Sequence, residues 1–286
     1  MEYIIGLILG GMMALSGAGG VIAVPLIMIF LGLPVNDAMG TALGAVMLSA
    51  GVGVFVQRQN VLFVPALILG LTGMLSAPFG RSLATYMNEL VLLLGLVAIS
   101  IVIAVLMWKS SKKISEPEIA LEVGSEAIIN VPVLARVFNL DDSLSSDEAS
   151  SIARIDWVHP ALNYHWVIVL SMILSGLLIG AVSGLLGIGG GVFMVPFLSW
   201  FLRINMMTAI ATSMLTVLLI SASGFFTGLL IHNQVDLFLT AKLSIAAMIG
   251  ALIGYRLGSY CQDHHLQKIF SLSLISMSFL ALAKEL

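Results

Sequence analysis

Apolar residues in this chain do not alternate with polar ones; they run in long blocks that are greasy on every side. The block at 90–108, LVLLLGLVAISIVIAVLMW, shows neither a polar stripe at helical spacing nor a two-residue alternation. Blocks of the same kind cover 4–31, 38–56, 62–83, 166–202, 207–231, 237–257 and 266–283. Roughly 20 apolar residues cross about 30 Å of hydrocarbon as an α-helix, and most of these blocks have that length. The strands of a membrane barrel would instead alternate over about ten residues. The pattern predicts an all-α integral membrane protein, a polytopic helical bundle.

Two blocks are too long for that scheme. As straight helices, 4–31 and 166–202 would extend about 42 and 56 Å, at about 1.5 Å per residue. Each contains a contiguous glycine run, SGAGGVIAVP at 16–25 and SGLLGIGGGVFMVP at 183–196. Glycine readily takes positive φ and loses the most backbone entropy in a helix, so each run predicts a stop and a restart. Unpaired backbone groups cannot face lipid, so each break must be covered by protein or line a wet cavity. The restarting pieces, from Val21 and Val192, would offer free N–H groups and a positive dipole end, and bare glycine lets an anion approach the backbone. Other glycines recur four apart, at 6 and 10, at 40 and 44, at 176, 180 and 184, and at 250, 254 and 258; these predict close helix packing.

The blocks fall into two sets of four, and the sets match. An offset of 170 carries Gly6, Gly10, Leu15, Gly17, Gly19 and Gly20 onto Gly176, Gly180, Leu185, Gly187, Gly189 and Gly190. After one extra glycine, Gly191, an offset of 171 carries Val24, Pro25, Thr41 and Gly53 onto Val195, Pro196, Thr212 and Gly224. Further on, an offset of 174 carries Ala77, Gly80 and Leu83 onto Ala251, Gly254 and Leu257. The expected organisation is a membrane repeat at 1–108, an acidic soluble loop at 109–164 and a second membrane repeat at 165–286. Lys109, Lys112 and Lys113, directly after Trp108, favour a cytoplasmic loop, and the distribution of basic residues favours inverted over parallel repeats by a single charge. Matched broken helices in two repeats point to a substrate site of the secondary-transporter type near the bilayer midplane. Inside the loop, AIINVPVL has the composition of a short strand. The N-terminus carries Glu2 and no basic region, which predicts a retained first membrane segment rather than a cleaved signal.

Composition sharpens this picture. Of 286 residues 59% are hydrophobic and 9% charged, with a mean hydropathy of +1.10, so membrane lipid is the expected surroundings. The net charge of -3 and the scattered basic residues leave no nucleic-acid footprint. One cysteine, Cys261, permits no internal disulfide, and Asp263, His264 and His265 lack a further clustered ligand, so neither a metal nor a cofactor is expected. The absence of Walker, H-E-x-x-H and G-x-S-x-G patterns argues against ATP drive and hydrolytic chemistry.

Desolvating a small oxyanion is far too costly for a helix dipole alone to offset, so a binding site needs N–H and O–H donors. The candidate set is Gly17, Gly19 and Gly20 of the first turn, Gly187, Gly189, Gly190 and Gly191 of the second, and the hydroxyls of Thr41, Thr212 and Ser213. Bonding of each hydroxyl to its own preceding carbonyl is the competing reading. Asp37 and Thr208 are placed to cap helices. Arg58, Arg81, Arg203 and Arg256 lie at segment ends, where snorkelling accounts for them, and a role in drawing anions to a vestibule is the alternative. Lys242 and Glu89 are the ionisable groups nearest apolar segments, 232–236 reads as a polar loop, and Trp108, Trp166 and Trp200 suit interfacial anchoring.

GLLIGAVSGLLGIGGGVFMVPFL followed by TAIATSM, with the shorter first copy and GALIGYRLG, resembles the sulfite exporter TauE/SafE family over both halves but not the middle loop. The first glycine run departs from the fuller second one. The resemblance implies a multi-pass protein of the cytoplasmic membrane that exports a small sulfur-containing anion such as sulfite, sulfoacetate or a related organosulfonate. An anion channel and a membrane-embedded enzyme of sulfur metabolism are the competing classes. Homo-oligomerisation stays open.

Overall fold

The computed structural model describes residues 2–17, 20–92, 94–95, 97–99, 101, 163–202, 204, 206–232 and 235–258. The regular elements among them are α1 (Glu2–Ser16), α2 (Gly20–Leu31), α3 (Val35–Val56), a 3-10 turn (Arg58–Asn60) and α4 (Phe63–Tyr86). A short helix α5 (Glu89–Ile99) follows. The second series is α6 (Asn163–Leu186), α7 (Gly191–Phe201), α8 (Met206–His232) and α9 (Leu237–Gly258). The chain divides into a unit of Met1–Glu116 with Ile173–Leu286 and a unit of Pro117–Met172, whose described part is the opening of α6. Most of the expected soluble loop, its short strand, the block at 266–283, Cys261 and Asp263 to His265 lie outside the described residues. So do Arg203 and the side chains of Trp108, Trp166 and Trp200.

Five of the described helices, α3, α4, α6, α8 and α9, are long and apolar enough to cross a membrane. Their outer faces match that medium. Along α4, Leu71, Leu75 and Phe79 are spaced four apart and expose 52%, 69% and 78% of their surface, while Leu69, Gly73 and Ala77 on the opposite stripe are buried. In water such a stripe would drive association; in hydrocarbon it is the surface that costs least to leave bare. The protein is therefore a polytopic helical membrane protein.

Both overlong blocks are broken where the glycines stand. Helix α1 ends at Gly17, whose φ of 71° is left-handed and whose N–H donates to the Met13 carbonyl at 2.8 Å, an αL cap. Helix α6 ends at Gly187, φ 69°, and the Ile188 N–H reaches back to the Ser183 carbonyl at 3.2 Å, the long bond of a Schellman motif. Gly189 and Gly190 continue at φ 76° and 79°, and α7 restarts at Gly191. The restarted helices have 12 and 11 residues. At about 1.5 Å per residue each covers about 17 Å, half of the hydrocarbon thickness. Pro25 and Pro196 both stand at the sixth residue of these half-helices, where each leaves one carbonyl without an intrahelical donor.

The four-spaced glycines do pack helices. A Cβ on Gly6 or Gly10 of α1 would run into backbone at Leu243 or Ala247 of α9, and one on Gly250 into the Leu7 carbonyl. Likewise, Gly176 and Gly180 of α6 face Leu69 and Gly73 of α4, while Gly80 faces Ala181. Such approach supports interhelical dispersion and Cα–H···O contacts, which replace the missing hydrophobic drive in lipid. A polar seam joins α8 to α4: Thr216 Oγ1 donates to the Ala66 carbonyl at 3.3 Å and Ser223 Oγ to the Met74 carbonyl at 2.7 Å.

Several polar residues sit differently from their expected places. Helix α3 begins at Val35 after Pro34, so Asp37 lies inside the first turn and caps nothing with its side chain. Thr208 likewise falls inside α8, at its third residue. Asp236, expected in a plain loop, caps α9: its Oδ1 accepts from the N–H groups of Phe238 at 2.9 Å and Leu239 at 3.1 Å. Lys242 pairs with Glu2 at 3.0 Å and lies over the Phe238 ring, tying α9 to α1.

Candidate functional site

The two glycine turns meet. Gly20, the first residue of α2, lies so close to the Ile188 carbonyl that a Cβ could not be accommodated. Gly191, the first residue of α7, stands in the same relation to the Gly17 carbonyl. Each half-helix therefore starts over the backbone of the other turn. In α7 the Phe193 N–H already donates to the Gly190 carbonyl at 3.2 Å, and the N–H groups before it lie ahead of the first intrahelical bond, as do those that open α2, so two donor-rich, positively polarised ends converge in the interior of the unit. Gly17, Gly20, Gly187, Gly189, Gly190 and Gly191 are all buried. Gly19 lies outside the described residues.

Helices α3 and α8 wall the turns. Met39 of α3 presses on Gly187 and Val46, seven residues on, lies at Gly189. Ile210, Ser213 and Val217 of α8, at helical i, i+3, i+7 spacing, reach the turns: Ile210 and Ser213 at Gly17, and Val217 at Gly189 and Gly191. A Cβ placed on Gly17 would stand 3.2 Å from the Ser213 hydroxyl, which itself donates to the Ile210 carbonyl at 2.8 Å.

The two threonines are not brought to the same place. Thr212 Oγ1 accepts the Leu62 N–H at 3.1 Å and thereby holds the residue that precedes α4. Thr41 is 1% exposed and its hydroxyl has no partner among the described residues. Two residues along a helix rotate by about 200°, so Thr41 projects about 160° away from the Met39 face that meets Gly187. Of the expected hydroxyls, Ser213 is the one whose contacts place it at a turn.

Two residues at or near the turns carry no signal that composition or spacing exposes. Ser183 is fully buried, its hydroxyl has no partner among the described residues, and its Cβ lies 3.6 Å from a Cβ built on Gly190. Its position at the head of the SGLLGIGGG run was the available clue. Arg81, expected to snorkel from a segment end, is instead 1% exposed and is the largest fully buried side chain in the described structure. Position along α4 suggested an end; the packing of α3 and α8 around that end buries it.

The fold and the site thus define a class: a multi-pass helical membrane protein in which two interrupted helices restart against each other. The family model described as "Sulfite exporter TauE/SafE" matches residues 3–280, and the chain belongs to that family. A curated relative, "Probable membrane transporter protein" of Haemophilus influenzae, is 31% identical over 110 residues, which are 37% of this chain and 40% of the relative. The matched region thus spans well under half the length of that relative. No solved structure matches the chain.

Proposed function

We propose that the protein is a secondary membrane transporter that exports a small sulfur-containing anion, such as sulfite, sulfoacetate or a related organosulfonate, from the cytoplasm by alternating access. The observation that carries this reading is the mutual seating of Gly20 on the Ile188 carbonyl and of Gly191 on the Gly17 carbonyl. An anion at that junction would meet unpaired N–H groups from two half-helices, with glycine leaving room for its oxygens. The Ser183 hydroxyl, which has no partner among the described residues, supplies a further donor nearby. Hydrogen bonds to a charged ligand contribute about 1.5–3 kcal/mol each, so several converging donors are required to offset dehydration.

Reciprocal packing supports the reading that the halves are copies. The offsets of 170 and 174 that align the sequence carry the Gly6–Leu243 contact onto Gly176–Leu69, and Gly10–Ala247 onto Gly180–Gly73. Each half lays its first helix on the last long helix of the other. Two copies so arranged, if inverted, supply the two opposite-facing states that alternating access needs. The protein would sit in the cytoplasmic membrane with 109–164 on the cytoplasmic side.

The test is flux through proteoliposomes containing the full chain. Saturable sulfite or sulfoacetate flux with counterflow supports the transporter, whereas non-saturating flux without counterflow identifies the anion channel, and turnover without transport identifies an enzyme. Gly189→Leu and Gly190→Leu place side chains at left-handed backbone and should abolish flux while the protein still inserts. Unaltered flux in both variants would remove the site from the turns.

A further inference from the structure

A buried guanidinium inside a membrane-length helix is costly unless its charge and its N–H groups are met. Arg81 stands within α4, five residues before its end at Tyr86. One Nη donates to the Asn36 carbonyl at 2.7 Å and the other approaches Met39 Sδ at 3.5 Å, a weak acceptor. The buried Nε has no hydrogen-bond partner among the described residues, and neither has the buried Asn36 Oδ1. Asp37 attracts the guanidinium across a distance but forms no ion pair with it; among the described residues the ion pair shown is that of Lys242 with Glu2. The charge is thus held by one neutral carbonyl and one sulfur.

Glycines on two neighbouring helices let the guanidinium lie directly against them. Gly228 of α8 borders Nε, with an ideal Cβ falling 3.3 Å away, and Gly40 of α3 borders Nη2 at 3.5 Å. The guanidinium is linked to the glycine turns through Met39, whose sulfur it touches and whose Cα and Cβ press on Gly187. At the position that the repeat offset assigns to Arg81, the other half has Tyr255, which is buried, neutral, and donates its hydroxyl to Met214 Sδ at 3.3 Å. At this matched position the positive charge belongs to the first half.

From this juxtaposition we infer that Arg81, cradled by Gly40 and Gly228, forms a second anion subsite beside the glycine junction, which takes the SO3 head of a sulfite or sulfonate. The inference rests on the anion-transport reading and adds to it the residue that selects for charge. A guanidinium presents parallel N–H donors that match two oxygens of one oxyanion, which a lysine reproduces only as a point charge. The arriving anion supplies the direct ionic contact that Asp37, acting across a distance, does not make. The anion would therefore bind unequally to the two halves, with its charge held on the α4 side of the junction.

The experiment measures sulfite flux against concentration in proteoliposomes, and sulfite-induced thermal stabilisation in detergent, for the wild type, Arg81→Lys, Arg81→Met and Gly228→Ala. Arg81→Met should raise the apparent KM at least tenfold and abolish the sulfite-induced shift. Arg81→Lys, which restores the charge but not the paired donors, should recover only part of that loss, and Gly228→Ala, which crowds Nε without removing the charge, should raise KM several-fold with little change in the ligand-free melting temperature. A KM and a sulfite shift in Arg81→Met equal to the wild type would overturn the subsite and leave Arg81 as a strut between α4 and the start of α3. Should Arg81→Met fail to insert, an unaltered KM in Gly228→Ala overturns it equally. No flux in the wild type, together with a sulfite shift that depends on Arg81, would overturn the transport reading while keeping the subsite.

Discussion

The half built from α1 to α5 and the half built from α6 to α9 open in the same way and diverge in their polar residues. In each, a helix ends at a left-handed glycine, a half-helix restarts at a glycine seated on the other turn, and a proline follows at the sixth residue. Yet Thr212 is bonded to the Leu62 N–H while Thr41 has no described partner, and buried Arg81 answers to buried Tyr255. The two breaks share their backbone geometry and differ in the polar side chains around them. Backbone geometry at a helix break leaves few solutions, because glycine is the residue that combines positive φ with direct backbone contact. A hydroxyl or a cation at the next shell outward is free to change once its neighbours change.

The comparison is broken hardest at the shared feature. Gly20→Val and Gly191→Val each drive a branched side chain into a carbonyl of the opposite turn. Both should lose most folded protein, read as the disappearance of a monodisperse peak in detergent, and survival of either variant would show that the turns do not bear on each other as described. Overpacking of a close-packed interior costs typically about 1–3 kcal/mol and more where backbone must move.

The threonine pair sharpens the contrast at intermediate size. Thr212→Val strands the part-buried Leu62 N–H, which should cost about 1–2 kcal/mol. Thr41→Val removes a hydroxyl that has no described partner, so its effect on stability should stay below about 1 kcal/mol in either direction. Reversible unfolding in mixed micelles would rank them. Equal losses would mean that the halves treat their threonines alike.

The smallest effect is expected at the Glu2–Lys242 pair, whose side chains are 33% and 29% exposed. Partial exposure screens the attraction, so Glu2→Gln should lower stability by no more than about 1 kcal/mol in the same assay. A larger loss would make this pair a principal clamp between α1 and α9, a clamp with no described counterpart between α6 and α4.

Much of the architecture was legible before any coordinates. Helical blocks at 38–56, 62–83, 207–231 and 237–257 reappear as α3, α4, α8 and α9, with ends shifted by a few residues, because lipid demands continuous apolar surface and leaves that demand in the sequence. The breaks at Gly17 and Gly187 were legible for a similar reason: a glycine run inside an overlong apolar block has few other uses. Asp37 and Thr208 misled because the helices begin about one turn earlier, at Val35 and at Met206, and local capping chemistry does not say which start wins.

Sequence alone determined that this chain is a membrane bundle, where its helices stop and restart, and which glycines pack against neighbours, since all of these are set by local composition and period. Tertiary structure decided that Gly20 and Gly191 sit on each other's turns, that Thr212 holds Leu62, and that Arg81 is enclosed rather than led out to the surface. Those facts depend on which helix lies against which. A side chain's exposure and partners belong to residues more than a hundred positions away, and no local pattern carries that information.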